Sequence, residues 1–212
     1  MKSERMADRS RRSDRKKRLI RPIFFYIITD AKETEENYLN GLKSSLKEEQ
    51  QKRIKIDVVK TKTYKVLERA IEHSQQLTQL GETWIVFDRD QVKGFDEIIE
   101  NSKAAGISVA WSNPCIEIWF FAYFHEMPNI NDSVKCCRMF ADRYQKITGK
   151  KYEKSDNDIY QMLLKYGDEN DALKLAEDKV REHIKNGKRK ASEMIPCTLL
   201  NQLVAEIKQK AE

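Results

Sequence analysis

Apolar residues in this chain fall into short unbroken blocks separated by longer stretches in which they recur every three or four positions, a pattern that predicts strands alternating with helices. The block at 23–29 (IFFYIIT) is β-branched and aromatic, follows Pro22, and reads as a strand buried on both faces. Over 34–50, Tyr38, Leu39, Leu42 and Leu46 recur at helical spacing among Glu, Lys and Gln. Ile54, Ile56 and Val58 alternate with charged neighbours, predicting a strand nearer an edge. Thr63 is placed to cap a helix whose inner face carries Leu67, Ala70, Ile71 and Leu77 and which Gly81 closes. The clearest core strand is 83–87 (TWIVF), which delivers Asp88, Arg89 and Asp90 at its carboxyl end. A helix over 95–105 ends at Gly106, suited to the left-handed position after a helix. The strand 107–111 (ISVAW) follows, and Asn113 before Pro114 predicts a helix start carrying Ile116, Glu117, Ile118, Trp119, Phe120 and Phe121. Past Pro128 the pattern is helical throughout, near 132–147, 156–166, 170–185 and 197–210.

Strand and helix in alternation predict an α/β domain: a mainly parallel sheet of about four strands, joined by right-handed crossovers and flanked by helices, with a helical C-terminal extension. The expected division is a basic N-terminal arm (1–21), an α/β core (22–127) and a helical extension packed on it (128–212). Ligands of such sheets sit beyond the carboxyl ends of the strands. That rule groups Asp30, Asp88 to Asp90 and Ser112 to Glu117, which sequence order alone keeps apart.

Composition sharpens this picture at the N-terminus. Of 40 Lys and Arg, ten lie in the first 21 positions (Lys2, Arg5, Arg9, Arg11, Arg12, Arg15, Lys16, Lys17, Arg18 and Arg21), with three acidic residues beside them. Beyond the arm 30 basic face 31 acidic groups, so the positive excess is all in the arm. Its density, greatest at Arg11, Arg12, Arg15, Lys16, Lys17 and Arg18, predicts contact with nucleic-acid phosphates, the plainer alternative being a solvated tail. No apolar run approaches the ~20 residues that span a bilayer, and the start is too polar for a secretory leader, so a cytoplasmic protein without membrane contact is expected. Cys115, Cys136, Cys137 and Cys197 lack C-x-x-C spacing, and His73, His125 and His183 share no zinc-ligand spacing with them. The cysteines read as buried free thiols in a reducing compartment, and no zinc is assigned.

The acidic residues carry the candidate chemistry. Two apart on extended chain, Asp88 and Asp90 project to one side and can converge on a hard cation such as magnesium, which keeps water positions open for phosphate oxygens. The alternative is an Asp-rich turn that caps the next helix. Asp30 also follows a core strand and is placed to join them as a third carboxylate. Glu33, Glu35 and Glu36 lie just beyond at a helix start, where acids usually serve the helix dipole; Glu33 and Glu36 are read that way. Glu117 is a charge among aromatic and aliphatic neighbours, costly unless paired with a base or a metal.

Three segments in order, TDAKETEENY (Thr29 to Tyr38), VFDRD (Val86 to Asp90) and SNPCIEIW (Ser112 to Trp119), together resemble the RloB-like family of Toprim-fold proteins associated with bacterial anti-phage and abortive-infection systems. The late MIPCTLLNQLV (Met194 to Val204) is similar to that family's C-terminal helix start, extending the resemblance over about 23–205. The resemblance implies a magnesium-dependent nuclease, with manganese as a substitute metal, cleaving RNA such as tRNA, or DNA. By position it places a general acid or base at Asp30, metal ligands at Asp88 and Asp90, with Asp30 also able to join them, and a further acidic site member at Glu117. It also implies an ABC- or AAA-type ATPase partner, and oligomerisation is compatible with it. The family's first motif reads Glu-Gly where this chain has Asp30 and Ala31; aspartate is one methylene shorter and alanine resists positive φ.

Two rival readings stand beside it. A Toprim-like scaffold weakened at Asp30 and Ala31 would serve as a binding module. WIVFDRDQV (Trp84 to Val92) also fits the apolar strand and D-x-D-x-V of a haloacid-dehalogenase-type phosphatase, although that family opens its domain with the motif and here two strand-helix units precede it.

Overall fold

A computed structural model describes residues 25–30, 33–59, 63–76, 81–90 and 92–210. The basic arm, Ala31 and Leu77 lie outside them. Four parallel strands, β1 (Phe25–Thr29), β2 (Ile54–Val58), β3 (Glu82–Asp88) and β4 (Ser108–Asn113), form the sheet predicted from the sequence. A fifth, β5 (Cys197–Thr198), runs antiparallel to the end of β4, giving the order β2-β1-β3-β4-β5.

Side chains alternate across the pleat, so each strand feeds two cores. Phe25 and Ile27 of β1, Trp84 and Val86 of β3 and Ala110 of β4 join one cluster with Tyr38, Leu39 and Leu42 of α1 (Thr34–Ser44). Tyr26, Ile28, Ile85, Phe87, Val109 and Trp111 point the other way, onto Val66, Leu67 and Ala70 of α3 (Thr63–Gln76) and Phe95, Ile98 and Ile99 of α4 (Phe95–Ala104). Right-handed crossovers explain this division: the connection leaving β1 moves outward to β2, whereas the next two move the opposite way, so α1 and the pair α3 and α4 cover opposite faces. The two directions of winding part between β1 and β3.

The α1 face also carries α5 (Glu117–Tyr123), all seven of whose residues are buried. Around it pack α6 (Ser133–Thr148), α7 (Ile159–Tyr166), α8 (Glu169–Lys185) and α9 (Leu200–Gln209), with Phe140, Tyr144, Ile159, Leu163, Ala172, Ala176, Leu203 and Val204 in the same cluster as β1 and β3. A buried polar knot fastens these helices. Glu169 accepts from the hydroxyls of Tyr123 and Tyr160, each at 3.0 Å, and pairs with Lys208.

Four local expectations need correction. The helix predicted over 34–50 is interrupted after Ser44 and resumes as the short α2 (Glu48–Gln51). Ser45 Oγ bonds back to the Leu42 carbonyl and Gln51 Nε2 to the Ser44 and Leu46 carbonyls, side-chain bonds that compete with helix continuation. The fourth strand runs later than 107–111. Asn113 caps no helix: it ends β4, pairs with Cys197, donates from Nδ2 to the Ala191 carbonyl, and precedes a cis peptide to Pro114, so α5 begins at Glu117. The extension is not wholly helical either, since β5 occupies the start of the segment read as helix 197–210. Gly106 does take φ +71 just past α4, as its position requires.

Candidate functional site

The winding reverses between β1 and β3, and it is at the carboxyl ends of the strands beside such a reversal that sheets of this kind bind ligands. Asp30 follows β1, Asp88 is the last residue of β3, and Glu117 opens α5 just after β4. Glu35 joins them from the first turn of α1, buried to 6% exposure.

Their mutual electrostatics show the proximity. Burial is the main cause lifting the Asp88 carboxyl well above the usual aspartate range; Glu35 and then Glu117 push the same way, the Ile116 amide opposes them at 2.9 Å from Oδ2, and Asp30 adds a smaller push. Burial also pushes Glu35 up to about 7, against its own backbone amide, with Glu117 and Asp30 raising it further and Lys154 opposing. Like charges gathered away from water favour protonation, here at Asp88 and Glu35.

Glu117 is fully buried. Oε1 accepts from the Tyr152 hydroxyl at 3.1 Å, with Lys154 Nζ at 3.8 Å, whereas Oε2 has no hydrogen-bond partner among the described residues. The extension thus supplies two neighbours of the most buried acid. Tyr152 is itself fixed by aromatic packing, its ring 4.8 Å from that of Phe140 at 87° and 5.7 Å from that of Tyr144. Burial, the largest single effect, works against the charge on Lys154, but Glu117, Cys137 and Cys115 together outweigh it and raise the Lys154 pKa.

Asp90 is placed differently from its neighbour. The strand ends at Asp88 and Asp90 takes φ 22, so the two are not related by an extended pleat and alternation does not make them project together. Its amide donates to the Pro114 carbonyl at 3.1 Å, and its exposed carboxylate accepts from Ser133 Oγ at 2.6 Å, at the first residue of α6. Of the residues singled out in the sequence, Asp30, Asp88 and Glu117 share one electrostatic group, while Asp90 lies on its α6 side.

A second arrangement adjoins the first. Ligand atoms of Cys115, Glu117 and Cys137 all lie within 4.8 Å of one another. Cys115 is buried and Cys137 half-buried; both are free thiols, and the Cys115 thiol, then burial, push that of Cys137 up.

Sequence reasoning passed over Glu35, although its spacing held the signal. It stands three and four residues before Tyr38 and Leu39 and seven before Leu42, on the inward stripe of α1, whereas Glu36 points partly outward. Tyr152 and Lys154 carried no such signal, lying in a polar connection between helices that meets Glu117 only in three dimensions.

Among the described residues no helix is long and apolar enough to cross a membrane. No curated protein and no solved structure matches the chain significantly. The sequence from 25 to 207, from the first residue of β1 into α9, matches the family model for RloB-like proteins, and the chain therefore belongs to the RloB-like protein family.

Proposed function

We propose that this protein is a divalent-metal-dependent phosphodiesterase acting on nucleic acid, with Asp30, Glu35, Asp88 and Glu117 as its acidic centre. One observation carries the reading: carboxyls from four separate elements gather at the reversal of the sheet, where Glu35, Glu117 and Asp30 all oppose ionisation of Asp88, an arrangement that a cation relieves. The donor set fits magnesium or manganese, being carboxylate oxygen throughout. Bound there, the ion supplies charge neutralisation at phosphate and a more acidic water.

The chain's own residues prepare that chemistry. Asp88 holds the start of α5 through the Ile116 amide, and so sets the position of Glu117, the next residue along the chain. Tyr152 holds Glu117 in place through Oε1. Glu35, buried in the first turn of α1, shares with Asp30 the role of general acid or base. Asp90 remains in the proposal as an outer ligand on the α6 side. The arm residues Arg11, Arg12, Arg15, Lys16, Lys17 and Arg18 would supply phosphate contacts. A phosphatase that forms a phosphoaspartate on Asp88 is disfavoured, because two strand-helix units precede the motif and Asp90, at φ 22, bonds to Ser133 instead of following Asp88 on an extended strand. Family resemblance adds an ABC- or AAA-type ATPase partner and a place in bacterial anti-phage defence.

The test is single-turnover cleavage of a panel of RNA and DNA, with magnesium or chelator, with and without a co-expressed ATPase. Cleavage that needs the metal and disappears in Asp88→Asn supports the reading. Cleavage that persists in chelator sinks it. Metal binding with no cleavage of any substrate moves the protein to the binding-module reading, to which the Asp30 and Ala31 departure already lends support.

A further inference from the structure

We propose that Cys115, Cys137 and Glu117 form a second metal centre, built for a thiophilic divalent cation of the zinc class and sharing only Glu117 with the all-carboxylate group. Three helix-anchored positions meet there: Cys115 just before α5, Glu117 at its first residue, and Cys137 in the first turns of α6. Two sulfurs and one carboxylate oxygen within 4.8 Å are a donor set that zinc favours and magnesium rejects. In a tetrahedral zinc site, bond lengths of about 2.0 to 2.3 Å put neighbouring donors roughly 3.3 to 3.8 Å apart. Closing the difference takes about one ångström, within the reach of a rotamer change at half-buried Cys137.

The independent observation is on Glu117. Its carboxylate is fully buried, anchored through Oε1 by Tyr152, and left with Oε2 unpartnered. An unmet acceptor on a buried charge is costly, and a cation beside it removes that cost. Tyr152 orients the ligand as outer hydrogen bonds do in metal sites, and the ring of Phe140 fixes Tyr152. Three protein ligands leave a fourth position for water or another small donor. Cys136, although next in sequence to Cys137, is buried in the main core cluster and stands outside the set.

This inference does not rest on the cleavage reading, because its readout is binding. Metal-stripped full-length protein, kept reduced, is titrated with cobalt(II), whose thiolate complexes absorb by ligand-to-metal charge transfer. Stoichiometric binding with a thiolate band is expected, displaced by zinc and unaffected by millimolar magnesium. Cys137→Ser and Glu117→Gln should each weaken cobalt binding at least about tenfold, Cys137→Ser with loss of band intensity, while Cys136→Ser keeps both band and affinity. Cys115→Ser is expected to behave as Cys137→Ser does; should it fail to fold, half-buried Cys137 decides, its variant being checked by circular dichroism. Absence of a thiolate band, a band unchanged in Cys137→Ser, or displacement by magnesium would each overturn the proposal.

Discussion

Asp88 accepts the backbone amide of Ile116 at 2.9 Å, tying the end of β3 to the residue before Glu117. One carboxylate therefore both belongs to the acidic group and positions another member of it. Asp88→Asn keeps an acceptor for that amide and removes a charge from a crowded group, so the fold should be unharmed or slightly firmer. Asp88→Ala leaves the amide unmet and should destabilise by about 1 to 3 kcal/mol. Cleavage should fall at least about a hundredfold in both variants, the scale on which removing one electrostatic partner of a reacting group slows a reaction. Asp90→Asn, which disturbs only the Ser133 hydrogen bond and the outer side of the group, should cost less. Rates for the three variants beside thermal melts check the ordering, and equal losses at both aspartates would refute it.

Glu35 gives the metal-free protein a defined dependence on pH. Its folded pKa of about 7 exceeds the ordinary value of 4.5, so between those limits the folded chain binds a proton that the unfolded chain does not. Stability contributed by this group is therefore complete below about 4.5, falls as pH rises to about 7, and then levels off. The loss is on the order of 3 kcal/mol, and Asp88, shifted in the same direction, adds to it. Urea unfolding in chelator should show a lower midpoint at about pH 8 than at about pH 5, and Glu35→Gln should flatten the difference by raising the midpoint at the higher pH. A midpoint that rises with pH would reverse the sign and remove Glu35 from the group.

Asp30 tests whether the site has adjusted to a shorter acid. If the backbone is fitted to aspartate, Asp30→Ala abolishes cleavage and Asp30→Glu lowers it, because the proton carrier must lie within about 2.6 to 3.2 Å of its target. That is the expected result. Single-turnover rates at saturating magnesium measure it, and a parent chain no faster than Asp30→Ala excludes Asp30 from the chemistry.

Gly167 probes the seam between the extension and α5. A Cβ added there would lie 2.5 Å from the Tyr123 carbonyl oxygen, a backbone atom, beside the bond at 2.9 Å from the Asp168 amide to the same oxygen. Neither can give way without moving α5 away from α8. Gly167→Ala should destabilise by about 1 to 3 kcal/mol, the usual range for overpacking, and should reduce activity at elevated temperature before it does so in the cold. An unchanged melting temperature counts against so tight a seam.

The arm is tested by deletion of residues 1–21. Affinity for nucleic acid should weaken about equally for all sequences, and its salt dependence should flatten by about 0.7 to 0.9 for each phosphate that the arm no longer neutralises. Unchanged affinity and slope would relegate the arm to another role.

Much of this architecture was legible because the signals are local. The unbroken apolar blocks of β1 and β3 and the helical stripe of α1 follow from burial on two faces or one, and the strand-helix order places Asp30, Asp88 and Glu117 at one end of the sheet. What escaped depends on pairings distant in sequence. The pairing of Asn113 with Cys197 spans 84 positions, and it turned a good helix cap into a strand end. The bend at Asp90 follows from bonds to Pro114 and Ser133, which no pattern around VFDRD discloses. Glu35 was within reach, but the usual dipole explanation for an acidic first turn masked its place on the buried face. Cys115 and Cys137 meet Glu117 through the packing of α6 on α5, a tertiary fact absent from their spacing.

The two-residue β5 has a consequence for synthesis. A ribosome delivers β1 to β4 in order, and helices that cover both faces come with or soon after them, yet the outer end of β4 stays unpaired until residues 197–198 emerge. The following helix then brings Leu200, Leu203, Val204 and Ile207 to the same core. A nascent chain halted before that point carries an open strand flanked by incompletely covered aromatic residues, the kind of edge that pairs with other chains. The half-made chain, rather than the finished molecule, is thus the form that most needs a chaperone, and stop codons upstream of 197 should send the product into inclusion bodies.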